Sequence, residues 1–178
     1  DVNILISGEV TTESKVMYER EITSRITKVA PFLTLDKDPY IVIENGKLVW
    51  IQDAYTTTNK YPYSKPIGNF NYIRNSVKVV VDAYDGGLQF YVSDPDDPMI
   101  QTYKKIFPDL FIPMNQMSDF LKNHLRYPVD MFSIQSETYL QYHMTDPTVF
   151  FNKEDQWSIP TEISFGQQQP VEPYYVIM

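Results

Sequence analysis

Three aspartates lie within four positions of this chain, at Asp94, Asp96 and Asp97 in the segment SDPDDP. Carboxylate oxygens are ligands that Ca²⁺ and Mg²⁺ prefer, so the cluster can form a weak metal site. It lacks the ligand pattern and the terminal bidentate glutamate of an EF-hand loop. In a second interpretation, which we favour, Asp97 caps a helix that starts at Pro98 and the other two carboxylates suit the helix dipole.

A second polar pair is His143 with Asp146, close in sequence to Tyr139 and Tyr142. An imidazole beside a carboxylate can act as a general base, but a base needs a partner nucleophile or a bound water. The chain contains neither a Gly-x-Ser-x-Gly motif nor an HExxH motif. His143 also falls at the predicted end of a helix, where a cation suits the dipole. We therefore treat the pair as a possible polar site and assign no catalytic residue.

Tyrosine is abundant, with fourteen copies beside ten phenylalanines and two tryptophans. Its apolar ring and polar tip suit contacts with sugars, peptides and other proteins. Most of these rings are expected to pack in the core, because aromatic residues favour strands. Tyr61 and Tyr63 lie in a polar, proline-containing stretch and form a possible recognition surface.

Four arginines can either pair with carboxylates or bind an acidic ligand, and their spacing does not decide between the two roles. Surface ion pairing is the default for each. They are Arg20, Arg25, Arg74 and Arg126.

Composition excludes several classes of protein. The 178 residues, 43% of them hydrophobic, predict one domain, which spans residues 1–178. A net charge of -8 without a basic cluster argues against nucleic acid as a partner. Zero cysteines exclude disulfides and thiolate chemistry. No apolar run approaches the ~18 residues of a membrane-spanning helix, so we expect these residues to be soluble.

Two hairpins are predicted. Asn45-Gly46 lies between two strand-like runs and is a strong signal for a type I′ turn, because both central residues of that turn need positive φ. Asp85-Gly86-Gly87 forms the second turn. The strand before it alternates so that one face carries Val77, Val79, Val81 and Ala83. Residues 56–71 between the hairpins predict a long surface loop.

Helices are predicted over residues 12–30, after Asp97, from Ser118, and over about 128–144, with strand-like segments at 1–10 and 172–178. This order predicts an α+β domain with a mostly antiparallel sheet built from two β-hairpins and packed helices. The first residue is not methionine and the last segment is strand-like, so we expect a piece of a longer protein.

Long blocks of the chain resemble, in the same order, an uncharacterised family of very large bacterial and cyanobacterial integral membrane proteins. The blocks are DAYTTTNKYPYS, NYIRNSVKVVVDAYDG, FYVSDPDDPMIQTYKKIFPDLF, HLRYPVDMF and YHMTDPTVFFNKEDQW. The resemblance implies a parent with transmembrane helices followed by a large soluble region, of which this chain is an internal fragment. It also implies attachment to the cell membrane, with this domain on the extracytoplasmic side. It brings no known activity, cofactor or site residue.

These observations favour a noncatalytic extracytoplasmic domain that mediates assembly or recognises an envelope ligand. Its expected partners are the membrane-embedded remainder of its own chain and an envelope glycan or protein, not nucleic acid. A metal-assisted hydrolase built on the Asp94 cluster or His143 is the alternative, with Ca²⁺ or Mg²⁺ as the only candidate cofactor. A domain that regulates a transport path in the membrane part is a third hypothesis.

Overall fold

The computed structural model describes residues 2–16 and 18–176 of the chain. Its helices are α1 (Val2–Leu5), α2 (Ile22–Val29), α3 (Pro98–Ile106), α4 (Asp119–Asn123), α5 (Val129–Tyr142) and α6 (Pro147–Asn152), with a 3₁₀ turn at Met114–Gln116. Its strands are β1 (Thr34–Leu35), β2 (Tyr40–Glu44), β3 (Lys47–Thr58), β4 (Tyr72–Asp82), β5 (Leu88–Val92), β6 (Phe111–Pro113), β7 (Thr161–Ser164) and β8 (Gln167–Pro170).

Within the described residues, the main sheet has six strands in the order β1-β3-β4-β5-β6, and β2 also pairs with β3. All pairs are antiparallel except β5 with β6, which run parallel. The predicted α+β class with a mostly antiparallel sheet is confirmed. No helix in the described ranges combines the length and the apolar character that crossing a membrane requires.

Both predicted hairpins are confirmed. In the first, Asn45 and Gly46 have φ of 50° and 77°, the left-handed conformation that the turn needs. In the second, the N–H of Gly86 donates to the carbonyl of Asp82 at 2.9 Å. Arg25 on α2 donates through Nε to the carbonyl of Gly86 at 2.6 Å, which fixes the helix to this turn.

Each face of the sheet carries its own apolar cluster. Val77, Val79 and Val81 point to the face covered by α2 and α3, where Ile26 and Ile100 are fully buried. Ala83, predicted to share that face, lies beyond the end of β4 and is exposed. The opposite cluster is covered by α4 and contains Tyr40, Val42, Val49, Ile51, Val80, Tyr91, Met117 and Leu121.

Helices α3, α4 and α5 begin at Pro98, just after Ser118 and just after Pro128, in agreement with the sequence predictions. The predicted helix over 12–30 was wrong in its first half, because α2 begins only at Ile22. The Glu21 carboxylate accepts the N–H groups of Thr23 and Ser24 at 2.9 and 2.5 Å and so caps the helix there. Glu19 has φ of 50°, which prevents the helix from continuing towards residue 12.

The predicted strands at the two ends were also wrong. Residues 2–5 form a helical turn, and Asp1 lies outside the described residues. Residues 172–176 form no strand, since Pro173 lacks an N–H to donate to a ladder; residues 177–178 lie outside the described part. The sequence did not predict the β7-β8 hairpin, whose second strand is rich in glutamine.

Candidate recognition groove

An open groove of about 610 Å³ lies between the loop over residues 59–71, which we call the 59–71 loop, and the C-terminal half of α5. Its rim carries aromatic rings and its helix side carries one carboxylate, Glu137. It is lined by Tyr63, Ser64, Lys65, Pro66, Ile67, Gly68, Phe70, Asn71, Tyr72, Ile73, Glu137, Thr138, Gln141 and Tyr142. The lining thus mixes aromatic and aliphatic side chains with polar and charged ones, among them Lys65, Asn71 and Glu137.

The side chain of Asn71 holds the 59–71 loop closed. Its Oδ1 accepts the N–H of Tyr61 at 3.0 Å, and its Nδ2 donates to the carbonyl of Tyr61 at 2.7 Å. The Ser64 hydroxyl donates to the Asn71 carbonyl at 2.7 Å, and Ile67 and Phe70 form an isolated β-bridge. The bonds from Tyr61 and Ser64 tie the first half of the loop to Asn71 at its end, and the bridge closes the second half, so the loop has a defined shape.

The two tyrosines of the predicted recognition surface lie on this loop but play different parts. Tyr63 lines the groove with φ of 59°, and its side chain is fully exposed, at 109% of the reference area. A bulky residue in the left-handed region is uncommon and costs backbone energy. Tyr61 does not line the groove but stacks on Tyr72, which does, with ring centroids 5.3 Å apart. The structure therefore brings Tyr63 and Tyr72 to the groove, with Tyr61 as support.

Tyr72 connects the groove to a buried polar cluster around Asp97. The Asp97 carboxylate accepts hydroxyl groups from Tyr72, Ser76 and Thr56 at 2.7, 2.6 and 2.5 Å. It also accepts the N–H groups of Met99 and Ile100 at the start of α3, at 3.0 and 3.3 Å. A register shift in the β3-β4 pairing near Thr56 brings the two strand hydroxyls within 3.2 Å of each other.

The electrostatics of the cluster follow from these bonds. Burial raises the pKa of Asp97, but the hydrogen bonds from Ser76, Thr56 and Tyr72 outweigh that effect and hold the pKa below its ordinary value. Burial and the bond to Asp97 raise the pKa of Tyr72 to about 12. The cluster therefore keeps an ionised carboxylate beside a neutral phenol at neutral pH.

The other two aspartates of the predicted metal cluster lie nearer the surface. Asp94 Oδ2 is 2.9 Å from Nη1 of Arg74, and Asp94 Oδ1 accepts the N–H of Asp96 at 3.2 Å. Asp96 is exposed. Across residues 2–16 and 18–176, no group of three or more histidine, cysteine or acidic side chains is arranged to hold a metal ion.

His143 and Asp146 each have a separate neighbour. His143 Nδ1 donates to the Tyr139 carbonyl at 2.8 Å, its ring stacks on Trp157 at 3.9 Å, and its Nε2 is 3.6 Å from Asp155 Oδ2. Asp146 caps α6 by accepting two backbone N–H groups, at 2.8 and 3.1 Å. The carboxylate facing the imidazole thus belongs to Asp155, which the sequence analysis did not single out.

A second buried polar cluster was missed from the sequence. Lys78 forms an ion pair with Asp53, and Tyr55 donates its hydroxyl to Asp36, with all four side chains buried. Burial raises the pKa of both Asp53 and Tyr55. Asp36 also accepts the N–H of Asp130 at 2.9 Å, which caps α5 where Pro128 cannot. The sequence did contain a signal for this cluster, because Asp53 and Lys78 are charged residues inside runs whose other residues predict buried strands.

These features define the class of protein, which is an α+β domain with an aromatic-rimmed groove. The chain belongs to the uncharacterised protein family UPF0182, whose sequence profile matches residues 1–178. Membership in an uncharacterised family was thus correctly predicted by the resemblance.

The relatives are found in diverse organisms. The chain is 54% identical over 179 residues to a UPF0182 protein of Pelotomaculum thermopropionicum, covering 100% of this chain and 20% of the relative. It is 55% identical over 184 residues to one of Methanospirillum hungatei, covering 99% and 20%. For one of Trichodesmium erythraeum the identity is 48% over 197 residues, covering 99% and 21%. The chain therefore spans about one fifth of the length of these relatives. No solved structure matches it.

Proposed function

We propose that this domain is a noncatalytic recognition module of a longer membrane protein, placed on the extracytoplasmic side, where it binds an envelope glycan or peptide. The observation that carries the proposal is the groove of about 610 Å³ with Tyr63 held on its rim by the Asn71-closed loop. An exposed ring on a residue whose backbone conformation is costly is typical of a surface built for contact.

The chemistry of the groove supports a ligand with both apolar faces and hydroxyl or amide groups. Tyr63, Tyr72 and Tyr142 offer ring faces with polar tips, while Gln141 and Thr138 offer hydrogen-bonding groups on α5. Sugar rings and extended peptides present this combination.

The test is a thermal-shift screen of the chain against wall glycans and peptides, followed by calorimetry on each hit. Tyr63→Asn removes the ring and places at positive φ a residue that tolerates it, so the loop is expected to stay folded. Tyr84→Ala is the control, because Tyr84 is 64% exposed but does not line the groove. Saturable binding lost in Tyr63→Asn and kept in Tyr84→Ala supports the proposal. Silence across the screen, or equal loss in both variants, contradicts it.

Sidedness is tested separately in intact cells. These 178 residues contain no cysteine, so Tyr84→Cys in the full-length protein introduces an exposed thiol at a known place. A membrane-impermeant maleimide should label it from outside, relative to the same protein with Tyr84. Labelling only after lysis would place the domain in the cytoplasm.

A second candidate function, assembly with the remainder of its own polypeptide, is favoured by the tip of the β7-β8 hairpin. Phe165 and Gly166 there have φ of 51° and 78°, nearly the angles of Asn45 and Gly46 in the other tight turn. Asparagine suits the first of these positions and phenylalanine does not. The Phe165 side chain is nevertheless fully exposed, at 106%, with Ile163 exposed beside it. Burial of these two apolar side chains against a partner surface would stabilise the hairpin tip. The remainder of the polypeptide can supply such a surface, because the relatives are about five times as long as this chain.

A photo-crosslinkable residue at position 165 of the full-length protein tests this assembly role. It should form intrachain crosslinks at a higher yield than the same residue at position 84. Equal yields at the two positions would remove the hairpin tip as an assembly contact.

A further inference from the structure

A second cleft, of about 620 Å³, lies between the bulged end of β4 and the start of α5. It differs from the groove in charge, because three cationic side chains line it: Arg74, Lys78 and Arg126. Its other lining residues are Ile73, Asn75, Asp94, Leu125, Tyr127, Pro128, Met131 and Gln135.

The charge of this cleft opposes the charge of the chain. The whole sequence has 15 basic and 23 acidic residues, for a net charge of -8. Among the described residues that line the cleft, three are basic and one, Asp94, is acidic. Among the described residues, Asp94 pairs with Arg74 and Asp53 pairs with Lys78, so the charge of Arg126 leaves the cleft net positive. A positive site on an acidic chain attracts anions against the overall field.

Two aromatic rings, and not a carboxylate, position the guanidinium of Arg126. Its guanidinium carbon lies 4.4 Å from the centroid of the Tyr40 ring and 5.2 Å from that of Tyr175. Its backbone N–H donates to the Tyr40 hydroxyl at 3.1 Å. In the part of the chain that the structure describes, it forms no ion pair. Ring contacts orient a guanidinium while leaving its in-plane N–H groups free to donate.

The other two cations are fixed by single carboxylates. Nη1 of Arg74 is 2.9 Å from Asp94, in a pair whose arginine side chain is 52% exposed. Lys78 is buried and paired with Asp53, which also accepts Nδ2 of Asn75 at 3.1 Å. A guanidinium has five N–H donors and an ammonium three, so each retains donors beyond its one pairing.

We infer that this cleft binds a phosphate-bearing group. Two guanidinium planes and an ammonium suit an oxyanion with more than one charge and several acceptor oxygens, which a single carboxylate does not offer. The inference is independent of the recognition groove, since it rests on different side chains. The same chemistry is presented by a free phosphate compound and by a phospholipid headgroup, and these two sources are separated by experiment.

The test is calorimetric titration of the chain with inorganic phosphate at constant ionic strength. We expect saturable binding that weakens about tenfold or more in Arg126→Gln, because the variant loses charge-assisted hydrogen bonds. Lys105→Gln on α3 removes the same charge from an exposed position outside the cleft, and its affinity should stay within about twofold of wild type. Acetate should bind about tenfold or more weakly than phosphate.

A vesicle-binding assay is the second part of the test. Sedimentation with phosphatidylglycerol vesicles, compared with phosphatidylcholine vesicles, tests the lipid source in the same three proteins. Binding of phosphate in solution indicates a free ligand, and Arg126-dependent binding to phosphatidylglycerol alone indicates a headgroup. The inference is overturned if neither ligand binds, if Lys105→Gln is as damaging as Arg126→Gln, or if acetate binds as tightly as phosphate.

Discussion

Tyr72 donates its hydroxyl to Asp97 Oδ1 at 2.7 Å, and this bond joins the wall of the groove beside the 59–71 loop to the first turn of α3. The same carboxylate is the helix cap and the acceptor for two buried strand hydroxyls. Asp97 therefore couples the position of a groove ring to the packing of α3 on the sheet.

Replacing Asp97 by alanine should destabilise the domain by about 3 kcal/mol. The variant loses a helix cap and leaves the hydroxyls of Thr56 and Ser76 buried without their acceptor. Urea unfolding measures the change. Asp96→Ala is the matched control, because Asp96 is exposed and its loss should cost less than about 0.5 kcal/mol. Equal losses in the two variants would contradict the role assigned to Asp97.

The pH dependence of stability should also depend on Asp97. Its pKa is lower in the folded chain than the ordinary value of 3.8, so the unfolded chain binds a proton first as pH falls. The stabilisation from the ionised carboxylate is therefore fully present above that ordinary value and is lost as pH falls through the lower folded pKa. Unfolding measured from about pH 5 to about pH 2 should show a shallower loss in Asp97→Asn than in wild type. Parallel curves would show that other carboxylates carry the acid sensitivity.

Gly46→Val should cost on the order of 1 to 3 kcal/mol, because a β-branched residue at φ of 77° is strained. An added Cβ there meets no atom within 4 Å, so the cost comes from the backbone alone. Gly8→Val is a suitable comparison, since Gly8 also has open space around it and its φ is not positive. Thermal melts of the two variants measure this cost, and we expect a lower melting temperature for Gly46→Val than for Gly8→Val. An unchanged melting temperature for Gly46→Val would contradict the strain argument.

The buried ion pair between Lys78 and Asp53 predicts a non-additive double mutant. Lys78→Met alone leaves a buried carboxylate without its counter-ion and should destabilise by about 3 to 5 kcal/mol. Adding Asp53→Leu removes that charge and should restore part of the loss. Denaturant midpoints of wild type, both single variants and the double variant complete the cycle. Additive losses would mean that the two charges do not interact.

Calcium distinguishes the two interpretations of the Asp94 cluster. Because Asp97 is saturated with hydrogen bonds and Asp94 is paired with Arg74, we expect millimolar Ca²⁺ to change the melting temperature of wild type and of the Asp94→Ala, Asp96→Ala variant equally. A saturable rise in wild type alone would instead establish a metal site there.

The sequence by itself determined the features that depend on neighbouring residues. The Asn45-Gly46 turn, the Asp97 cap before Pro98 and the alternation of Val77 and Val79 were all predicted, because turn, cap and strand preferences act over a few positions. Where a local signal was outweighed, the prediction failed: the helix expected from Thr12 begins after the cap at Glu21.

Only the tertiary structure decided what the polar residues contact. Asp97 finds hydroxyl groups 41, 21 and 25 positions away, at Thr56, Ser76 and Tyr72, and His143 faces Asp155, not Asp146. The 59–71 loop and α5 meet across more than sixty positions of sequence to form the groove. Such contacts depend on strand register and on how helices pack on the sheet, and these are global properties that no short stretch of residues specifies.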